Sequence, residues 1–464
     1  MSATTSDEVV AVPHIIKGIV RTGADEHHGR GDSRFDTPSL DLNEIVWSRT
    51  KPGPAFDVPV DEIIDILVAV GDWIRTDPDG TFARALGFAK RTSPLPPEVI
   101  ERSYQFLPNG FNRRSMEFQI ENELGGKDVI DGWREIKDAP SGRVHRVRAF
   151  PPRLIHIIAG NAPGVAATSI VRGALIKGLN LIKIPSNDLF TAPAILEAMA
   201  SVAPNHAVTQ SFSAVYWRGG DERVEGTLFR PQFFDKLVAW GGGSTITNAQ
   251  KYVGPGFELV AFDPKTSISL VGREAFESDE TLAHAADLAA IDATLVEQQA
   301  CASSRFQFVE GNQYDVDRYC AALQQRMGVS RPTASAAGRP LSSELREEID
   351  GLRGMDEFYR VWGDYSGPGV VVRSDDPVDF HPDGRTVNVV PVGDISEGIA
   401  YANVATQTVG VYPPERKAEL RDALATMGVQ RVVNLGSSGG VEHGLPHDGF
   451  MPLTRFVRWV NDEG

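Results

Sequence analysis

From residue 153 the chain repeats one grammar: an apolar run, a turn, a helical stretch, another apolar run. "LIHIIAG" passes through "NAPGV" into the small-residue stretch "AATSIVRGALIKGL" and on to "NLIKIPS". "APAILEAMASVA" reads as a helix, "AVYWRGG" as a strand, and "KLVAWGGGSTI" as a strand entering a glycine turn. Apolar strands without alternation are those covered on both faces, and strands that take turns with helices pair in parallel. The pattern predicts an α/β fold built on a parallel sheet with crossover helices.

A second region has the same character. "SISLVG" is a strand, and "ESDETLAHAADLAAIDATLVEQQA" is a long helix ending just before Cys301. "RFQFVEG", "GVVVRSD", "TVNVVPVG" and "RVVNLGSSG" add strands, while residues 328–350 read as a surface insertion with a helix at its end. Upstream, "DVPVDEIIDILVAVGDWIR" sets Ile63, Ile64, Ile66, Leu67, Val70 and Trp73 at helical spacing, with Asp57 or Asp61 available as a cap. "GRVHRVRAF" interleaves Val144, Val147 and Ala149 with basic residues, as a half-exposed strand does. Residues 1–56 are polar and turn-rich, and the RGD triplet inside them reads as chance. A chain of 464 residues exceeds one hydrophobic core, so more than one domain is expected.

Composition narrows the function classes. A net charge of -16 with no basic block argues against nucleic acid or anionic membrane as a partner. Two cysteines, Cys301 and Cys320, cannot form a disulfide framework. Neither a paired-cysteine motif nor HExxH is present, so no metal site is expected. The N-terminus lacks the basic start and apolar core of a signal peptide, and its polar beginning is expected to fray. No apolar run approaches the roughly 20 residues needed to span a bilayer. The expectation is a cytoplasmic protein.

Four segments carry residues with chemical capacity. In "GNAPGV", Asn161 follows a buried strand at the end where α/β sheets bind ligands, and Pro163 suits a helix start. Asn161 is either an oxyanion donor or an ordinary turn residue. In "LIKIPSN", Lys183 near the end of an apolar strand either binds cofactor hydroxyls or phosphates, or snorkels. In "AWGGGST", three glycines and a hydroxyl residue let backbone N–H groups approach a pyrophosphate. In "QQACASSRF", Cys301 stands among small residues that leave room for a carbonyl; it is either a nucleophile or a small buried side chain. Cys320 and His156 read as packing residues.

Together and in this order the segments resemble the aldehyde dehydrogenase superfamily. "GNAPGV" resembles its Trp-Asn-Phe-Pro turn, "IKIPSN" its Lys-Pro-Ser-Glu segment, and "AWGGGST" its Phe-Thr-Gly-Ser-Thr turn. "DPKTSISLVG" resembles its Gly-Gly-Lys-Ser-Pro strand, and "QACASSR" part of its nucleophile motif. Within the superfamily, "YANVATQTVGVYP" and "GVEHGLPHDGFMPLTRFVRWV" look like the acyl-CoA reductase (LuxC-type) family. The resemblance covers roughly residues 100–464.

That resemblance implies an aldehyde-dehydrogenase-like fold. It divides the chain into an N-terminal segment (1–56), a parallel-sheet dinucleotide-binding domain (57–265), an α/β catalytic domain (266–440) and a C-terminal return (441–464). Residues 131–150 and "TRFVRWV" are its candidate oligomerisation strands, which implies a homo-oligomer. Cys301 becomes the nucleophile and Asn161 the oxyanion donor, while Lys183, Ser186, Gly242, Gly243 and Ser244 bind the cofactor. The implied reaction reduces a fatty acyl thioester, acyl-CoA or an acyl-carrier thioester, to the aldehyde, with an acyl-transferring synthetase as a possible partner. An ordinary NAD(P)-dependent aldehyde dehydrogenase and a non-catalytic partner subunit are the competing readings.

Two departures from the superfamily pattern sharpen the expectation. With Lys265 set on the superfamily's Gly-Gly-Lys lysine, Ala261 takes the place of the glutamate that activates water, and Glu258 lies three residues away as the remaining candidate base. Losing that base suits a reductase, whose thioester must survive until hydride arrives. Ser186 stands where the superfamily often has a ribose-binding glutamate, and without that carboxylate a 2′-phosphate is tolerated beside Lys183. NADPH is therefore the expected cofactor. His447 and Asp448 form either a structural turn or a gating element.

Overall fold

A computed structural model describes residues 9–29, 34–336 and 340–463. The polar start and the RGD triplet at 30–32 lie outside the described residues. The chain forms two compact units. The first comprises the chain up to Pro94, Ser103–Asp263 and the residues from Glu442 onward; the second comprises Leu95–Arg102 and Pro264–Val441.

The first unit opens with five short strands: β1 (Val10–Ala11), β2 (His14–Ile16), β3 (Ile19–Arg21), β4 (Glu26–His28) and β5 (Phe35–Thr37). Helix α1 (Val60–Thr76) follows, then β6 (Arg134–Lys137) and β7 (Val144–Phe150). The main parallel strands are β8 (Arg153–Ile157), β9 (Leu179–Lys183), β10 (Phe212–Val215), β11 (Lys236–Trp240) and β12 (Glu258–Phe262). They assemble in the order β12-β11-β8-β9-β10, and the hairpin β2-β3 joins antiparallel at β10. The polar, turn-rich segment 1–56, expected to be partly irregular, thus supplies two strands to this sheet. Every residue of β8 is buried, as the unbroken apolar run requires.

Crossovers between these strands are helical. Helix α2 (Pro163–Leu175) connects β8 to β9; it opens on a proline and buries Ala166, Ala167, Gly173 and Ala174. α3 (Glu222–Leu228) and α4 (Gly243–Gln250) follow β10 and β11.

The second unit carries β13 (Thr266–Val271), α5 (Asp279–Thr294), β14 (Ser304–Glu310), α6 (Gln313–Met327), α7 (Ser343–Arg353), β15 (Arg360–Trp362), β16 (Val370–Arg373), β17 (Thr386–Val392), β18 (Thr406–Tyr412) and β19 (Arg431–Asn434). Its sheet runs β15-β16-β17-β14-β13-β18-β19, parallel except at the β15 edge. α5 and α6 cover one face through Ala285, Ala289, Ala293, Tyr319 and Cys320. The last strand, β20 (Arg458–Glu463), belongs to the first unit and pairs antiparallel with β7, which pairs with β6. No helix among the described residues is long and apolar enough to cross a membrane.

Three expectations need correction. The cap of α1 is neither Asp57 nor Asp61: Pro59 is the N-cap, and Asp131 Oδ1 accepts from Val60 N at 3.0 Å. A carboxylate from elsewhere in the fold has replaced a local one. "TRFVRWV" is not one strand, because residues 452–456 are helical and the strand begins at Arg458. The stretch 328–350 is not only a surface insertion, since Ala334, Ser335 and Ile349 are buried.

The first unit also buries histidines. His156 in β8 bonds Asn180 Oδ1 at 3.0 Å, and burial lowers its pKa to about 4. His14 and His443 are lowered to about 4 for the same reason. A histidine neutral in the fold and cationic when unfolded loses stability as pH falls from its unfolded value of 6.5 toward 4. Glu123 and Asp188, raised by burial to about 7 and about 6, act in the opposite sense, so a difference measurement is required. Between about pH 7 and pH 5 the wild type should lose about 2 kcal/mol more than His156→Gln. Urea unfolding of both proteins at both pH values checks this, and equal losses would contradict it.

Candidate functional site

The carboxyl ends of β11, β8, β9 and β10 lie side by side, and each ends in a residue or turn with binding capacity. In open α/β sheets this is the edge where ligands bind. Asn161 lies in the turn between β8 and α2, half-buried. No side chain caps α2, whose N-cap is Ala162, so the Asn161 amide is not spent on the helix.

The neighbouring turn packs tightly against it. A Cβ on Gly160 would stand 2.0 Å from Asn187 Oδ1, so any larger residue here displaces the Asn187 side chain. Ser186, next to Asn187, is exposed. Lys183 closes β9, in register with Ile157 and Val215. Its ammonium lies 5.6 Å from the Tyr216 ring centroid and 6.0 Å from that of Trp217. Burial lowers its pKa to about 8, with Glu225 pulling in the other direction. The Lys183 ammonium is thus partly desolvated among these aromatic rings.

Beyond β11 the chain turns through Gly241, Gly242 and Gly243 into α4. Gly242 is the N-cap and no side chain bonds the first amides. Gly242, Gly243 and Ser244 are exposed, and a Cβ added at either glycine meets nothing within 4 Å. An open, glycine-lined helix start after β11 and a lysine two strands away at the end of β9 suit an extended anionic ligand such as a dinucleotide. The residues present fit such a cofactor.

Sequence reasoning missed the residues around Lys183. Glu225, 1% exposed, accepts from Trp217 Nε1 at 3.2 Å, Gly220 N at 2.9 Å and Asn248 Nδ2 at 2.8 Å. It ties the loop after β10 to α4. The signal was "YW" at the end of a strand, where aromatic rings wall a ligand edge. A second aromatic group also escaped notice. Trp240 and Phe262 stack at 3.6 Å, and the His447 ring meets both edge-on at 5.3 and 5.0 Å. His447 starts a tight turn through Asp448 (φ 50) and Gly449 (φ 82), closed by His447 N to Phe450 O at 2.9 Å.

Ala261 lies in β12 opposite Ala239. Glu258 is at the amino end of the same strand and pairs with Lys236 at 3.3 Å. It stands at the end of the sheet away from Asn161, Lys183 and the glycine turn.

In the second unit the predicted helix does not reach Cys301. α5 stops at Thr294, and Val296 (φ 50), Glu297 (φ 53) and Gln298 (φ 64) are left-handed. Such residues cost of order 1–3 kcal/mol each, most for a β-branched valine, so the surroundings must hold them. Cys301 follows in a turn and is exposed. Its carbonyl accepts from Ser267 Oγ at 2.7 Å, and that same oxygen accepts from Thr408 N at 3.1 Å. Ser303 Oγ donates to Leu295 O at 2.9 Å, and Arg305 Nη2 donates to Gln298 O at 2.6 Å. The Arg305 guanidinium, bonded to Gln298 O, also lies within electrostatic range of Cys301. Cys320, in contrast, is fully buried in α6, and burial pushes its thiol well above the usual range. Among the described residues no group of three or more His, Cys, Asp or Glu could hold a metal ion.

The family model described as acyl-CoA reductase (LuxC) matches residues 55–459 of the chain. A long-chain acyl-protein thioester reductase of Photorhabdus laumondii is 31% identical over 348 residues, 74% of this chain and 69% of that protein. The protein of that name from Aliivibrio fischeri is 32% identical over 355 residues, 74% of this chain and 70% of that protein. A long-chain acyl-protein thioester reductase 2 of Photobacterium leiognathi is 26% identical and spans 97% of this chain and 93% of its own. Among solved structures, an NAD-dependent benzaldehyde dehydrogenase from Corynebacterium glutamicum shares the fold, with a TM-score of 0.73 over 99% of this chain and all of its own, at 14% identity. An NADP-dependent glyceraldehyde-3-phosphate dehydrogenase from Bacillus halodurans does so with a TM-score of 0.68 over 99% of this chain and 96% of its own, also at 14% identity.

The Gly160 contact gives a direct test of the first half-site. Gly160→Ala should force the Asn187 side chain out of its place, at a cost of about 1–3 kcal/mol in urea unfolding. It should also weaken dinucleotide binding by about tenfold in titration calorimetry. Unchanged binding would mean that the two turns do not share a ligand.

Proposed function

Because the chain belongs to the acyl-CoA reductase (LuxC) family, we propose that it reduces a fatty acyl thioester to the aldehyde with NADPH, through an acyl group carried on Cys301. The observation that carries this reading is Cys301 itself, an exposed thiol on a turn whose backbone is pinned from β13 and by its own loop. The acyl donor is acyl-CoA or an acyl-carrier thioester, and a synthetase partner is one route by which the acyl group arrives.

The Cys301 thiolate attacks the thioester carbonyl carbon, forming one C–S bond. The Asn161 amide and a backbone N–H stabilise the oxyanion; one such donor is typically worth about 3 kcal/mol in the barrier. Collapse breaks the original C–S bond, and the departing thiolate takes up a proton. When bound, the nicotinamide supplies the hydride that reduces the acyl carbon. Cys301 then leaves as thiolate while the oxyanion becomes the aldehyde carbonyl. Lys183 and the Gly242–Ser244 turn hold the dinucleotide. Ala261, where the resemblance expects a water-activating glutamate, and Glu258 at the far end of β12 favour reduction over hydrolysis of the acyl group.

Cys301→Ala should abolish NADPH oxidation driven by acyl-CoA. Turnover at the wild-type rate would overturn the assignment, and fast oxidation of aldehyde by the wild type would favour an ordinary dehydrogenase.

Lys183 gives a second expectation. Its ammonium, with a pKa of about 8, is charged below that pH and neutral above it. NADPH affinity should therefore fall by about tenfold as pH rises through this value, while NADH affinity changes little. Lys183→Met should remove the difference. Fluorescence titration of both coenzymes measures it, and equal pH profiles would contradict a 2′-phosphate contact.

A further inference from the structure

Glu297 and Arg385 form an ion pair with both side chains fully buried, Arg385 Nη2 to Glu297 Oε1 at 2.8 Å. Neither residue belongs to the reaction scheme above. The same carboxylate oxygen accepts from Ser335 N at 2.6 Å, and Arg385 also donates to Ser335 O at 2.6 Å and Pro368 O at 3.2 Å. Gln298, the next residue, accepts from Arg385 N at 2.8 Å and donates to Thr386 O at 2.9 Å. Residues 297 and 298 are thus fastened to the start of β17 by side chains on both sides of the contact.

A buried ion pair is weak grounds for a stability role, since apolar residues of similar size often stabilise as well or better. This pair does something an apolar pair cannot. It holds Glu297 and Gln298 left-handed, and Gln298 O is the acceptor on which Arg305 closes the loop containing Cys301. Arg385 is itself left-handed, at φ 67. Release of the pair would let the strained backbone relax toward ordinary dihedrals and carry the loop with it.

We propose that the Glu297–Arg385 pair and the Gln298 side chain bonded to Arg385 N and Thr386 O together form a positioning element for the reaction, setting the direction in which the Cys301 thiol leaves its loop. The proposal rests on Cys301 being the acylated residue, and its first readout, alkylation of the thiol, is independent of any acyl substrate.

The experiment compares wild type, Glu297→Gln, Gln298→Ala, and the double variant Glu297→Leu with Arg385→Met. Four quantities are read: iodoacetamide alkylation of Cys301 across pH by peptide mapping, single-turnover acylation from acyl-CoA, the KM for NADPH, and the urea midpoint. Glu297→Gln should slow alkylation and acylation by about a hundredfold, the scale of a reacting group misplaced by about 1 Å, and leave the KM for NADPH unchanged. The double variant strands no charge and should recover the urea midpoint without recovering either rate. Gln298→Ala also strands no charge and should slow both reactions even if Glu297→Gln fails to fold. Wild-type rates in the double variant or in Gln298→Ala would overturn the proposal. Slowed alkylation in the variants of a wild type that never acylates would leave the positioning role standing and remove the acyl reading instead.

Discussion

Parallel pairing in fixed register is the constraint on which the first unit depends. Ala239 pairs with Ile157, Ile157 with Lys183, and Lys183 with Val215, across four adjacent strands. Each strand then ends at nearly the same level, so the glycine turn, the Asn161 turn, Lys183 and Tyr216 emerge along one edge. A slip of one residue in any strand would turn its side chains to the opposite face. Burial on both faces penalises that slip heavily, because every residue of β8 is buried. Binding capacity at the edge is a consequence of how the core packs.

The second unit holds the Cys301 loop by other means. Cys301 is not at the end of a helix or strand but in a turn reached through three left-handed residues. A hydrogen-bonded ladder cannot enforce such a backbone. Side chains do so instead: Ser267 holds the Cys301 carbonyl, Arg305 the Gln298 carbonyl, and the Glu297–Arg385 pair the segment before both. The two units illustrate two costs of precision, conformational entropy removed by a sheet and backbone strain offset by buried polar contacts.

The elements along this strand-end edge were legible in the sequence because strands and turns are local signals. Unbroken apolar runs gave the parallel strands, Pro163 gave the start of α2, and the glycines gave the open turn before α4. What escaped was set by contacts distant in sequence. Asp131 caps α1 from about seventy residues away, and no local pattern encodes that. The Cys301 helix was drawn too long because "TLVEQQA" has ordinary helix propensity; burial of Glu297 against Arg385 overrides it. Ser335, inside a stretch read as surface, became part of that buried contact for the same reason. Glu258 was a candidate base on proximity in sequence alone, and four residues of extended strand, about 13 Å, carry it to the other end of the sheet.

In the proposed reaction an acyl group rests on Cys301 and waits there for hydride. Mass spectrometry of the protein mixed with acyl-CoA and no coenzyme tests it most directly. One acyl group is expected on the peptide containing Cys301, persistent in water, and lost as stoichiometric aldehyde when NADPH is added. An acyl group on another residue, or rapid release of free fatty acid without coenzyme, would contradict it.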